Sequence, residues 1–100
     1  MRVIIENIYN KSHEEGYRLY CGRGGHGHSG VFGNQFEIGK DGSREEVIAK
    51  FEEYADKHPE LMELMRKELR EVGNPEVVIL QCFCWPQACH TRWYKKELEK

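Results

Sequence analysis

A run of four apolar residues, Val77-Val78-Ile79-Leu80, constrains the fold more than any other stretch of the sequence. Its β-branched and aliphatic side chains are typical of a strand that is buried on both faces. An earlier alternating stretch, residues 17–21, predicts a second strand, and the chain between the two contains two predicted helices. That length allows a crossover connection, which is right-handed almost without exception when the strands are parallel. The sequence therefore predicts an α/β fold.

The remaining elements follow from local signals. Residues 3–9 are rich in β-branched side chains and predict a first strand, joined to the second by a turn too short for a parallel crossover. Those two strands are therefore predicted to be antiparallel partners or not neighbours. Ser43 and Glu46 form a capping box that begins a first helix, and His58-Pro59 ends it. A second helix is predicted from Pro59 to Val72, with a buried face made of Leu61, Met62, Leu64, Met65, Leu69 and Val72. We expect a single small domain over residues 1–100, with a mixed, mostly parallel sheet of about three to four strands and helices packed on it.

Composition narrows the class of protein. With 39% hydrophobic and 32% charged residues, the 100-residue chain is typical of one soluble domain. The net charge of −2 argues against general nucleic-acid binding, which needs a basic surface. Because no apolar run approaches the roughly 20 residues of a membrane span, and the N-terminus lacks a signal-peptide core, we predict a cytoplasmic protein without membrane association. Its four cysteines are then expected to be thiols, metal ligands or catalytic groups rather than disulfides.

Three of those cysteines lie in the segment Cys82-Phe83-Cys84-Trp85-Pro86-Gln87-Ala88-Cys89-His90, directly after the buried strand. Proline is favoured at the first position of a helix, so Cys89 and His90 are predicted in the first turn of a helix that runs to Glu99. The positive end of a helix dipole favours the thiolate form of a cysteine. Cys84, Cys89 and His90 are therefore the candidate catalytic residues.

A second unusual stretch follows the predicted strand at residues 17–21. The loop Gly22 to Gly33 contains six glycines in twelve residues and includes a GxGxxG pattern at residues 22–27. The pattern is weak, because a dinucleotide-binding fingerprint leads directly into a helix and this one does not. If the strands are parallel, however, this loop and the cysteine segment leave the same edge of the sheet, where ligand sites of open α/β sheets lie. The two stretches are thus expected to form one pocket.

The sequence also resembles a known family. The residues that carry the resemblance are Tyr20-Cys21-Gly22-Arg23, the run from Gly33-Asn34-Gln35-Phe36 through Ser43-Arg44-Glu45-Glu46, and the Cys82-x-Cys84-x-Pro86-x-x-Cys89-His90 close. This pattern resembles the domain-of-unknown-function family 4326, whose members are common in bacteriophages and bacteria. The close is also loosely similar to that of domain-of-unknown-function family 488. Gln35 replaces a proline of the family pattern, and Thr91-Arg92 replaces its Gly-Asp. The resemblance implies a small α/β fold, the location of the site and an expectation of nucleotide-related ligands.

The leading hypothesis for the site is a pocket for a nucleotide-like or other phosphorylated small molecule, with thiol- or imidazole-based transfer or hydrolysis as its chemistry. Glycine backbone groups and guanidinium groups are suited to phosphate, and Asn34 to a sugar or base. The predicted ligand-binding residues are Gly22, Arg23, Gly24, Gly25, Asn34 and Arg92.

Two alternatives remain open from the sequence. In the first, zinc binds to Cys82, Cys84, Cys89 and His90, with His26 and His28 able to supply missing ligands, although the spacing is unusual for a structural zinc site. In the second, the cysteines are buried hydrophobic residues and the protein docks on a host protein or pairs as a homodimer without catalysis. Its aromatic anchors would then be Trp85, Trp93 and Phe32.

Overall fold

The computed structural model describes residues 1–24 and 30–100. In chain order its elements are β1 (Arg2–Asn7), β2 (Tyr17–Tyr20), α1 (Arg44–Asp56), α2 (Glu60–Glu71), β3 (Val77–Cys82) and α3 (Thr91–Leu98). No helix among these described residues is long and apolar enough to cross a membrane.

The strand order is β1-β3-β2, and β3 pairs in parallel with both neighbours. The apolar run that predicted this strand lies at the centre of the sheet, where Val78, Ile79 and Leu80 are fully buried. The predicted α/β domain is confirmed, and in the described residues its three strands are all parallel rather than mixed. β1 and β2 are separated by β3, which is the second of the two arrangements that their short connection allowed.

The three helices contribute to one hydrophobic core with the same face of the sheet. Its largest fully buried side chains are Phe51 of α1, Met65 of α2 and Tyr94 of α3. Tyr94 contacts both Phe51 and Phe32 through tilted or edge-on ring packing. Burying an aromatic or aliphatic side chain of this size stabilises a fold by about 1.5–3 kcal/mol. The chain that continues from Gly30 toward α1 is therefore attached to the core by Phe32.

The ends of α1 and α2 follow their sequence signals closely. The Ser43 hydroxyl accepts from the backbone of Glu46, whose carboxylate accepts from the backbone of Ser43, as the capping box predicts.

The predicted burial of Leu64 and Val72 is wrong, since they are 43% and 45% exposed. The buried residues Met62, Met65 and Leu69 form one stripe of the helix. Leu64 points about 200° away from Met62 around the axis, and Val72 is the C-cap.

The start of α3 differs from the prediction. The helix begins at Thr91 with His90 as its N-cap, so Cys89 and His90 precede the first turn instead of lying within it. The side-chain amide of Asn7 donates to the carbonyls of Phe83 and Trp85, and the backbone N–H of Gln87 donates to the carbonyl of Cys84. These bonds hold the chain after β3 in turns. Pro86, which suggested the helix start, lies within this turn segment.

Candidate functional site

A cavity of about 380 Å³ lies at the carboxyl edge of the sheet, between the loop after β2, the start of α1 and the segment after β3. Its volume is in the range of pockets that hold small organic ligands. The polar and ionisable residues around it are Arg23, Asn34, Glu37, Arg44, Cys82, Cys84, Cys89 and His90. The apolar ones include Phe36, Ile38, Val47, Ile48 and Phe83.

The glycine loop contributes to this cavity only in part. Gly22 lines it, whereas Gly24 lines a second cavity of about 380 Å³ that also contacts Arg23 and Asn34. A side chain at position 22 would meet the Tyr20 hydroxyl at 2.5 Å, so close packing already accounts for a glycine there. Gly25, His26 and His28 lie outside the described residues.

Cys84 is the most accessible of the four thiols and lies beside the guanidinium of Arg44. A hydrogen bond from the Cys89 thiol and the adjacent positive charge of Arg44 lower the pKa of Cys84 to about 5, against the opposing effect of burial. A thiol with such a pKa is ionised at neutral pH, and the thiolate is the nucleophilic form of cysteine. Cys84 is therefore the strongest candidate nucleophile in the cavity.

Cys89 and His90 contact each other although they are adjacent in sequence. The Sγ atom of Cys89 lies 3.3 Å from Nδ1 of His90, and both side chains are buried. Nε2 of His90 lies 2.9 Å from the carbonyl oxygen of Phe32, which can only accept a hydrogen bond. Burial lowers the pKa of His90, which keeps the ring neutral at neutral pH. The proton is consequently on Nε2, and Nδ1 is a free acceptor that faces the thiol of Cys89.

The thiol of Cys89 does not behave as a helix N-terminal thiolate. Hydrogen bonds to the sulfurs of Cys82 and Cys84, together with burial, raise the pKa of Cys89. The bond to Cys89 also lowers the pKa of Cys82 to about 6. Cys82 is buried, however, and no neighbouring cation contributes to the lowering of its pKa. We assign the thiolate to Cys84, where the guanidinium is, and the shared proton to Cys89.

Two of the predicted ligand-binding side chains form hydrogen bonds within the protein that hold the cavity wall together. Arg23 donates to the carbonyls of Asn34 and Phe36, and its guanidinium lies 3.8 Å from the carboxylate of Glu37. The Asn34 amide donates to the carbonyl of Val47 and accepts from the backbone of Phe36. Both residues line the cavity, but Arg23 connects two parts of the loop between β2 and α1, and Asn34 attaches that loop to α1.

Arg92 is not brought to the cavity. Its guanidinium forms ion pairs with the carboxylates of Glu52 and Glu45 on the outer side of α1. The prediction that it contributes a phosphate-binding group to the pocket does not fit this placement. Arg92 is exposed on α3, and its charge is paired with the two carboxylates of α1.

The alternatives can also be located in the structure. Among the described residues, no group of three or more His, Cys, Asp or Glu side chains is arranged to hold a metal ion, so the set Cys82, Cys84, Cys89 and His90 is not assembled as a zinc site. Of the aromatic anchors proposed for docking, Trp93 and Phe32 are buried in the core, whereas Trp85 is 45% exposed.

Arg44 is the residue that the sequence reasoning missed. Its Nη1 donates to the carbonyl of Ala88, which links α1 to the cysteine segment. A signal for it existed: Arg44 is the first residue of α1, and a cation at the positive end of a helix dipole is unfavourable without a nearby negative charge. The thiolate of Cys84 supplies such a charge.

Comparison with known proteins places the chain in a family without adding a function. No curated protein and no solved structure matches it. One family model, described as a domain of unknown function (DUF4326), matches residues 7–100 and so includes both the glycine loop and the cysteine segment. The chain therefore belongs to the DUF4326 family, as its residues suggested.

Proposed function

We propose that the protein binds a phosphorylated, nucleotide-like small molecule in the cavity between the glycine loop and the cysteine segment. The observation that carries the proposal is Arg44. This half-buried guanidinium lines the cavity and has no carboxylate partner among residues 1–24 and 30–100, whereas Arg23 has one such partner and Arg92 has two. A guanidinium is the side chain best suited to bind phosphate through paired hydrogen bonds.

The apolar side of the cavity supports the same class of ligand. Phe36, Val47 and Ile48 form a surface on which the flat, weakly polar part of a nucleoside can be buried. A ligand with its phosphate at Arg44 also has that phosphate beside Cys84. In this proposal Cys84 is the nucleophile for transfer or hydrolysis, and His90 accepts a proton through Cys89, because Nε2 donates to the Phe32 carbonyl and the acceptor Nδ1 faces the Cys89 thiol.

Isothermal titration calorimetry with inorganic phosphate, ribose 5-phosphate and the common nucleoside monophosphates tests the binding step. We expect a nucleoside monophosphate to bind more tightly than inorganic phosphate. Arg44→Gln is expected to weaken binding about tenfold or more, since a hydrogen bond to a charged group contributes about 1.5–3 kcal/mol. The matched control is Arg92→Gln, which removes a guanidinium outside the cavity and leaves affinity unchanged. Equal losses in both variants, or no binding of any phosphorylated compound, contradict the proposal.

A further inference from the structure

We propose that Cys84 and Cys89 form a redox-active dithiol that reduces small disulfides, such as glutathione disulfide, by thiol–disulfide exchange. This inference goes beyond binding of a phosphorylated ligand and does not depend on it, because the exchange uses only the protein thiols and the disulfide.

The two cysteines are suited to different steps. Cys84 lies on the rim of the cavity, is half-buried and has a guanidinium beside it, so it is the thiol that an incoming disulfide reaches. Cys89 lies behind it, only 6% exposed, with its thiol directed to the sulfurs of Cys84 and Cys82. The turn closed by the bond between Gln87 N–H and the Cys84 carbonyl folds the intervening residues back and brings the two cysteines to one cavity. An accessible attacking thiol and a sheltered resolving thiol are the parts that such an exchange requires.

The surroundings of Cys89 can accept its proton and stabilise its charge. Nδ1 of His90, 3.3 Å from Sγ, is an unprotonated acceptor because Nε2 donates to the Phe32 carbonyl. The backbone and side chain of Thr91 also lie close to the sulfur and favour its charged form. Thr91 is fully buried, and its hydroxyl has no hydrogen-bond partner in the described part of the chain. A buried hydroxyl without a partner is costly, and a developing thiolate on Cys89 would give it one.

The reaction proceeds in two displacements. In the first, the Cys84 thiolate attacks one sulfur of glutathione disulfide; a Cys84–glutathione bond forms, the original S–S bond breaks, and one glutathione leaves as a thiolate that takes a proton from water. In the second, Cys89 gives its proton to Nδ1 of His90 and its sulfur attacks Sγ of Cys84. The Cys84–Cys89 bond forms, the mixed disulfide breaks, and the second glutathione leaves with the proton from His90. The protein is oxidised by two electrons and the disulfide is reduced to two thiols.

Cys21 provides the matched control, because it is fully buried and does not line the cavity. Its thiol donates to the carbonyl of Leu19 at 3.7 Å. Burial raises the pKa of Cys21, so it is unreactive. Cys82 at the end of β3 is buried too, but it lines the cavity and faces Cys89, so a change there would also alter the site.

The experiment treats the reduced protein with glutathione disulfide in the absence of any phosphorylated ligand, quenches with acid, alkylates the remaining thiols and measures the intact mass. We expect the wild type to lose two alkylatable thiols and to retain no glutathione. Cys89→Ser should stop after the first step and retain one glutathione, Cys84→Ser should react at least about tenfold more slowly, and Cys21→Ala should behave as the wild type. Wild-type protein that keeps all four thiols, or that retains glutathione, overturns the proposal. So does an internal disulfide that still forms in Cys84→Ser.

His90→Gln tests the second step separately. As a positioning and proton-accepting residue for Cys89, His90 should leave the first displacement unchanged and slow the resolution of the mixed disulfide by about tenfold or more. A general loss of structure would change both steps, and circular dichroism identifies that case. Equal rates of resolution in the variant and the wild type overturn the role of His90. Because no phosphorylated compound is present, failure here is distinct from failure of ligand binding in the calorimetric experiment.

Discussion

Two groups of buried ionisable side chains lie near the carboxyl edge of the same sheet, and they are built differently. Glu6 of β1 is 2% exposed, and each of its carboxylate oxygens accepts two hydrogen bonds. One oxygen accepts from the backbone and hydroxyl of Ser12, and the other from Arg18 and Gln81. The thiols and imidazole at Cys84, Cys89 and His90 lie against a cavity instead, with a shared proton and an unpartnered hydroxyl beside them.

The two groups show how a buried polar side chain with a structural role differs from one that can take part in a reaction. A buried carboxylate whose oxygens are all hydrogen-bonded has no acceptor site left for a ligand. Glu6 instead holds β1, β2, β3 and the loop after β1 in one arrangement. A buried imidazole whose acceptor nitrogen faces a thiol, next to a cavity and a guanidinium that has no carboxylate partner in the described residues, can exchange protons or ligands. Perturbed ionisable groups in a cleft are candidates for function on this ground.

The largest effect is expected for Glu6→Ala. The change leaves Arg18, Gln81 and Ser12 without their shared acceptor, and breaking a buried ion pair costs about 3–5 kcal/mol. We expect about 3 kcal/mol, because Arg18 is partly exposed. Urea denaturation measures it. Glu14→Ala is the control, since the Arg2–Glu14 pair is exposed and worth about 0.5 kcal/mol. If both variants lose the same stability, Glu6 is not the structural centre described above.

The two groups should also differ in the pH range over which they affect the stability of the fold. The pKa of His90 is lower in the folded chain than in the unfolded chain, so the unfolded chain binds a proton at a higher pH. The free energy of unfolding therefore falls as pH drops below about 6.5, by up to about 1.4 kcal/mol per pH unit. For Glu6, burial raises the pKa, but the bonds from Gln81, Ser12 and Arg18 outweigh it and lower the pKa overall. Its contribution is therefore present above about pH 4.3 and lost only below that.

Urea denaturation at a series of pH values distinguishes these windows. His90→Gln should flatten the stability curve as pH falls below about 6.5, and Glu6→Gln should flatten it at lower pH. A His90→Gln variant with the same slope as the wild type would show that the pKa of His90 is the same in the folded and unfolded states, which contradicts the lowered pKa of the buried ring.

The smallest effect is expected for Cys84→Ser. The thiol is half-buried at the rim of the cavity and makes no contact on which the core depends, so the free energy of unfolding should change by only about 0.5 kcal/mol. Thermal denaturation measures this change, with Cys21→Ser as the control that places a hydroxyl in the core and costs more. If Cys84→Ser and Cys21→Ser lose the same free energy of unfolding, the Cys84 thiol has a structural role, and its contrast with Glu6 does not hold.

Much of the fold was predictable because its signals are local. The capping box at Ser43 begins α1, and the apolar run after Pro75 is the central strand. The length of chain between β2 and β3 allowed a parallel arrangement of these strands, which the structure has. The start of α3 was not predictable from Pro86, since the bonds from Asn7 to the carbonyls of Phe83 and Trp85 join residues that are far apart in sequence.

Local patterns in the sequence were sufficient to identify the kind of fold, the family and the two stretches that meet at one edge of the sheet. The side chains that form the site could be identified only from the packing of the folded chain. That packing paired Arg92 with carboxylates of α1, directed Arg44 toward Cys84, and oriented His90 through the carbonyl of Phe32. The physical reason is that the chemistry of a thiol or an imidazole depends on the charge, burial and hydrogen bonds around it. Partners distant in the chain supply these conditions, and local sequence patterns do not encode them.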